Sequence, residues 1–350
     1  MNQNYYYDYE GVSASFLPNM GVPDAPVHDG EMRRQYATVG LSVMILTFAT
    51  IAGQVVFAMV CSAISKEFLS SPWFQWLASF VPLYGIALPL MWLLLRRVEP
   101  CKPEKQRFGA GHWLIFYVIA TGCMMLGSII GNGLMSFLNG LTGNDVGNGL
   151  ESTLNAAPLW QTFLFTVIAA PIGEEFIFRK LLVDRMRRFG ELPAVLLSGL
   201  LFGLFHGNFY QFFYTFMLGV LLAYLYVRSG KIHLCMMMHA LVNLVGGVLT
   251  TWITDHLDTD LLNSLPAAER MTYIGEHLLP YLSLMLYNVW MFGCLIAGIV
   301  LVIVRRKKTK LLPAVVPVSR QSLWKDGVFS WGMILAYCAC GLLFVISLSA

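Results

Sequence analysis

The sequence predicts an all-α, polytopic integral membrane protein with eight or nine transmembrane helices. Three observations point there. First, the 350 residues are 57% hydrophobic and only 12% charged, with a mean hydropathy of +0.64. A soluble domain carries about 25% charged residues, so this chain lacks the polar groups to cover a globule in water. Second, apolar runs close to the ~20 residues that cross a bilayer recur along the chain. Third, lysine and arginine gather in alternate loops, the pattern that sets membrane orientation.

Taken in order, residues 1–36 read as a cytoplasmic, disordered tail. They are rich in Tyr, Gly, Pro and Asp, with no basic start and apolar core of the kind a signal peptide needs. Spans follow at about 38–63, 73–95, 112–136, 159–179, 192–206, 210–228, 231–252, 280–304 and 328–348. The domain reading is a tail (1–36), N-terminal transmembrane helices (37–154), a transmembrane core (155–250), and a C-terminal loop with further helices (251–350). Residues 191–228 must hold two short crossings joined around His206, Gly207 and Asn208. They suggest a hairpin that turns before the far face, with His206 at membrane depth.

Of the 23 basic residues, all but Lys66 and Arg270 fall on one side of a nine-span arrangement with a cytoplasmic N-terminus. The expected setting is a bacterial plasma membrane. The run RRKKTK at 305–310 is explained by that topology and implies no nucleic acid. The seven cysteines are scattered without a CxxC pair, which argues against a disulfide framework or a cysteine zinc site.

Ionisable residues inside spans are costly and mark functional sites. The stretch GEEFIFRK at 173–180 puts Glu174, Glu175 and Arg179 at the end of an apolar run. Glu175 and Arg179 stand at i and i+4 and can pair along one helix face, bracing the structure. Glu174 points elsewhere and lacks that partner. His206 ends the next apolar segment, and His239 and Asn243 share a face four residues apart. His112 and His233 lie at span starts, where interfacial roles suffice. The set Glu174, His206, His239 and Asn243 suits hydrolysis: a glutamate or histidine takes a proton from water, and a histidine and an amide stabilise an oxyanion. Glu174, His206 and His239 are also a candidate zinc set with an open position for water. Metal-free activation of water by the glutamate suits the same residues, and the sequence leaves the two open. Gly199 and Gly203 form a small-xxx-small pair that favours close helix packing.

EEFIFR at 174–179 fits EExxxR, FGLFH at 202–206 fits FxxxH, and HALVN at 239–243 fits HxxxN. In this order, on successive membrane segments, the three motifs resemble the CAAX protease and bacteriocin-processing family of intramembrane proteases, which includes prenyl-protein endopeptidases. The resemblance covers about residues 155–250. It implies an endopeptidase acting on a peptide or membrane-protein substrate in the bilayer. Glu174 would activate water with His206, His239 and Asn243 would bind the oxyanion, and Glu175 and Arg179 would hold the site's shape. A serine protease reading fails at Ser198, which lacks a GxSxG setting, and an aspartyl reading fails at GNDVG (143–147). Two other classes remain as alternatives: a non-catalytic bacteriocin-immunity or scaffold protein, and a proton-coupled transporter. The basic side and a deep polar cavity suggest a peptide entering from the cytoplasm or laterally from the bilayer.

Overall fold

A computed structural model describes residues 29–143, 145–309, 311–316 and 318–349, and among them there is no β-strand. Helix α1 is Asp29–Ile64, α2 Pro72–Leu95 and α3 Ala110–Thr142. A short helix, α4, covers Gly149–Ala156. Then come α5 Leu159–Phe189, α6 Glu191–Phe205, α7 Phe209–Ser229 and α8 Ile232–His256. Leu278–Arg305 is α9 and Trp331–Ser349 is α10. Among the described residues eight helices are long and apolar enough to cross a membrane, and α6 is the shorter ninth. Their outer faces carry large exposed side chains such as Leu286, Val289 and Val304, as a lipid solvent allows.

One boundary differs from expectation. Helix α1 starts at Asp29, so residues 29–36, assigned to the tail, are helical; residues 1–28 lie outside the described residues. The cause is tertiary. Tyr36 is fully buried with its ring 5.6 Å from that of Phe189, and Glu31 pairs with Arg188 at 3.1 Å. A local reading of composition sees neither partner.

The basic loops meet at one end of the bundle. Cys101 N donates to Asp184 O, Gln106 N to Ser229 O, Glu191 N to Leu312 O and Val315 N to Arg188 O. Side chains add to this: Arg187 Nε is 2.8 Å from Glu191 Oε1, and Arg185 Nε donates to Leu95 O at 2.8 Å. Loops of like charge are therefore held together through backbone bonds and paired arginines. Helix α4 and the 257–277 region belong to the opposite end, where α3 ends and α5 begins.

The α6–α7 hairpin turns inside the bundle. Gly207 takes φ +67°, a left-handed conformation that glycine adopts freely. Asn208 then caps α7, its side chain accepting from Gln211 N at 2.9 Å. The two helices approach closely because Gly199 and Gly219 face each other: a Cβ on Gly219 would lie 2.9 Å from Gly199 Cα. At about 1.5 Å per residue, α6 spans only about 22 Å, less than the ~30 Å hydrocarbon core. His206 is consequently set at membrane depth. The central core beneath it consists of Phe178, Leu182, Leu201, Phe202, Leu222 and Met238, all with no exposure.

Candidate active site

The glutamates occupy an α-helical stretch, Ala170–Glu175, between two π-helical stretches, Phe163–Ala169 and Phe176–Val183. Asn243 is the last residue before a third, Leu244–Leu249. Such wide turns are frequent at functional sites, because each inserts a residue and rotates the remainder of its helix. Gly173 lets the Tyr84 ring lie against α5 where any Cβ would collide with it.

Adjacent in sequence, Glu174 and Glu175 have different environments. Glu175 has no exposure; Arg179 Nε lies 2.9 Å from its Oε2 and Arg179 Nη2 3.3 Å from its Oε1. Arg179, also fully buried, donates through Nη1 to Ser198 Oγ at 3.0 Å, and Ser198 donates to Phe178 O at 2.9 Å. The guanidinium sits 5.1 Å from the Phe202 ring centroid. A buried charge persists only when paired and hydrogen-bonded, and each of these contacts serves that end. Glu174, by contrast, keeps 19% of its side chain exposed and faces a cavity.

His239 connects the two. Its Nδ1 is 3.0 Å from Glu175 Oε1, and its Nε2 is 3.8 Å from Glu174 Oε2. The Arg179-paired carboxylate is an acceptor, so Nδ1 carries the hydrogen and Nε2 is turned toward Glu174. His206 Nδ1 is 2.7 Å from Phe202 O. A carbonyl only accepts, so this nitrogen too carries hydrogen and Nε2 is left with its lone pair. Phe202 packs against both histidine rings, its ring centroid 4.8 Å from that of His206 and 5.8 Å from that of His239. Asn243 Nδ2 donates one hydrogen to Thr166 O at 2.8 Å, and its second hydrogen is not used in that bond.

Glu174, His206, His239 and Asn243 all line one cavity of about 530 Å³. Glu175 and Arg179 stand behind it. From the basic end, Asn243 is about 17 Å along α8, and Glu174 along α5 and His206 along α6 are each about 22 Å, at about 1.5 Å per residue. These three positions thus lie at similar depths, well inside the bundle. Among the described residues no group of three His, Cys, Asp or Glu side chains is arranged to hold a metal ion. The candidate zinc set Glu174, His206 and His239 is gathered around one cavity but not into ligand geometry, and His239 Nδ1 is committed to Glu175.

Some neighbours escaped the sequence reading. Ser198, weighed there only as a nucleophile, is the partner of Arg179. Phe202, the first residue of FxxxH, packs against both histidine rings. Tyr214 accepts from Gln211 Nε2 at 2.9 Å, lines the cavity and lies within electrostatic reach of Glu174. No local pattern marks Tyr214, since it reaches the site only through the close packing of α7 on α3 at Gly127.

The described chain is an all-α, multi-pass membrane protein with a polar, membrane-embedded cavity. Residues 156–245 of it match the family model described as type II CAAX prenyl endopeptidase Rce1-like. The match contains all three motifs, and it supports the CAAX protease family and a CAAX-type intramembrane protease as the class. No curated protein and no solved structure matches the chain.

Proposed function

We propose that this protein is an intramembrane endopeptidase whose water is activated by Glu174 with help from His206. The observation that carries the reading is the division between the two adjacent glutamates. Glu175 is consumed by Arg179 and His239, while Glu174 stays open to the cavity beside the same histidine.

In this mechanism a water sits between the Glu174 carboxylate and the His206 Nε2 lone pair. Glu174 takes a proton from it as the oxygen bonds to the substrate carbonyl carbon. The carbonyl oxygen becomes an oxyanion, held by His239 and Asn243. With Nδ1–H held by Glu175, His239 donates to the oxyanion through an Nε2–H turned to the cavity, and the spare Asn243 hydrogen is the second donor. The C–N bond then breaks, and Glu174 returns its proton to the leaving amine. Glu175 and Arg179 hold the arrangement. The basic end, with the N-terminus, faces the cytoplasm, and the substrate is a peptide or a membrane-protein segment.

The test is cleavage of prenylated and unprenylated peptides in proteoliposomes by the wild type and Glu174→Ala, with and without a chelator. Loss of cleavage in Glu174→Ala supports the reading, and the chelator arm separates zinc from a glutamate acting alone. Wild-type cleavage that survives Glu174→Ala would overturn it, and a phenotype retained by the variant without cleavage would favour an immunity or scaffold role.

A further inference from the structure

The wall of the cavity is drawn from α2 through α9, α4 included. Its hydroxyl groups differ in where their hydrogens go. Thr166, Thr215, Thr250 and Thr254 each donate to a backbone carbonyl of their own helix. Tyr210 donates to Val146 O at 2.7 Å. These hydrogens are used within the wall itself. Tyr214, one turn beyond Tyr210 on α7, has the opposite polarity.

That polarity is fixed from the backbone. At the turn between α6 and α7, Asn208 bonds two main-chain groups that cannot exchange roles. Its Oδ1 accepts from Gln211 N at 2.9 Å, and its Nδ2 donates to His206 O at 2.9 Å. An N–H only donates and a carbonyl only accepts, so this amide has one orientation. Asn208 Nδ2 also donates to Gln211 Oε1 at 2.7 Å, which orients the Gln211 amide in turn. Gln211 Nε2 is therefore the atom 2.9 Å from the Tyr214 hydroxyl, and the phenol oxygen accepts. Its own hydrogen points away from Gln211, and among the described residues it meets no protein acceptor. The tyrosine is firmly seated, because Gly127 on α3 lets its backbone approach where any Cβ would collide.

The water in the proposed mechanism has a place for such a donor. It gives one hydrogen to Glu174 and the other to the His206 Nε2 lone pair. Its oxygen keeps two lone pairs, one facing the substrate carbonyl carbon and one open to a donor. His239 and Asn243 serve the oxyanion. Tyr214 lines the same cavity and lies within electrostatic reach of Glu174.

We infer that Tyr214 is a further catalytic residue, whose O–H donates to the second lone pair of the water that Glu174 activates. This rests on the hydrolytic reading of the site and adds one group to it. The chain from Asn208 through Gln211 sets the direction of the O–H. With three neighbours fixed, the remaining lone pair of the water is aimed at the carbonyl carbon. No proton moves to or from the phenol, and Glu174 remains the base.

The test is steady-state cleavage by the full chain in proteoliposomes, on a peptide that the wild type cleaves. Tyr214→Phe keeps the ring and removes only the hydroxyl. Its kcat should fall about tenfold to a hundredfold, with KM and the SDS unfolding profile little changed. Gln211→Glu tests the direction. A carboxylate there accepts from Asn208 and also from Tyr214, turning the hydroxyl hydrogen out of the cavity while the tyrosine stays. It should lower kcat comparably, and Tyr214→Phe added to it should cost little more, as for two residues acting through one interaction. Wild-type kcat in Tyr214→Phe, a loss confined to KM, a matching loss of stability, or full additivity of the two substitutions would overturn the inference. Glu174→Gln is run alongside. Cleavage that survives in it counts against the hydrolytic reading, whereas cleavage lost in it and kept in Tyr214→Phe counts against Tyr214 alone.

Discussion

His239 Nδ1 lies 3.0 Å from Glu175 Oε1, while the other nitrogen of the same ring faces Glu174 at 3.8 Å. The bracing ion pair and the open carboxylate are therefore coupled through one imidazole. Glu175 neutralises Arg179, and it also fixes which nitrogen of His239 points into the cavity.

This coupling separates stability from activity. Removing one partner of a buried pair leaves an unpaired charge and costs about 3–5 kcal/mol, whereas replacing both with apolar residues is often close to neutral. Glu175→Gln alone is expected to lower resistance to unfolding in an SDS titration. Glu175→Leu with Arg179→Met is expected to recover much of it yet remain inactive, because His239 has lost its anchor. Full activity in the double variant would show that the pair does not orient His239.

Glu174→Gln keeps the side chain's size and removes its basicity. The expected loss in kcat is about 10²- to 10⁴-fold with an unchanged unfolding profile, since Glu174 makes no buried ion pair with an arginine or lysine. Equal loss of stability and rate would reassign Glu174 to structure.

Asn243→Ala removes a donor that is anchored on Thr166 O by its other hydrogen. A single oxyanion donor is worth about 10²- to 10³-fold in kcat, so the effect should fall on kcat with KM little changed. A pure KM effect, measured on the same peptides, would instead make Asn243 a substrate-binding residue.

Gly219→Leu tests the hairpin that carries His206. Its side chain would meet Gly199 and Phe202, and overpacking of this kind costs about 1–3 kcal/mol. Both unfolding resistance and activity should drop, and a variant unchanged in both would mean that α6 and α7 tolerate separation.

Cys101 lies in the loop 96–109 at the basic end. Burial pushes its thiol above the ordinary value, with Arg187 nearby pulling the other way. The reactive thiolate should then form at higher pH in the folded protein than in the SDS-unfolded chain. Rates of iodoacetamide labelling against pH, resolved by mass spectrometry, should give a folded curve displaced to higher pH; superimposed curves would contradict it.

The sequence by itself determined the all-α membrane class, the spans and the side on which the basic loops gather, and it singled out Glu174, His206, His239 and Asn243, which line one cavity. Each of these rests on local or compositional physics: the length of an apolar run, the cost of a charge in lipid, and the i to i+4 geometry of one helix. Even the early turn of the hairpin was legible, because 15 residues cannot cross a bilayer core as a straight helix. Only the tertiary structure decided that His239 contacts Glu175 more closely than Glu174, that Ser198 serves Arg179, that Phe202 packs against both histidines and that residues 29–36 continue α1. It also decided that the cavity is bordered by α4 and not by the basic loops. These depend on which helices pack together and at what depth, and that is set by glycine contacts such as Gly199 on Gly219, whose partners are distant along the chain or across a turn and carry no local signal.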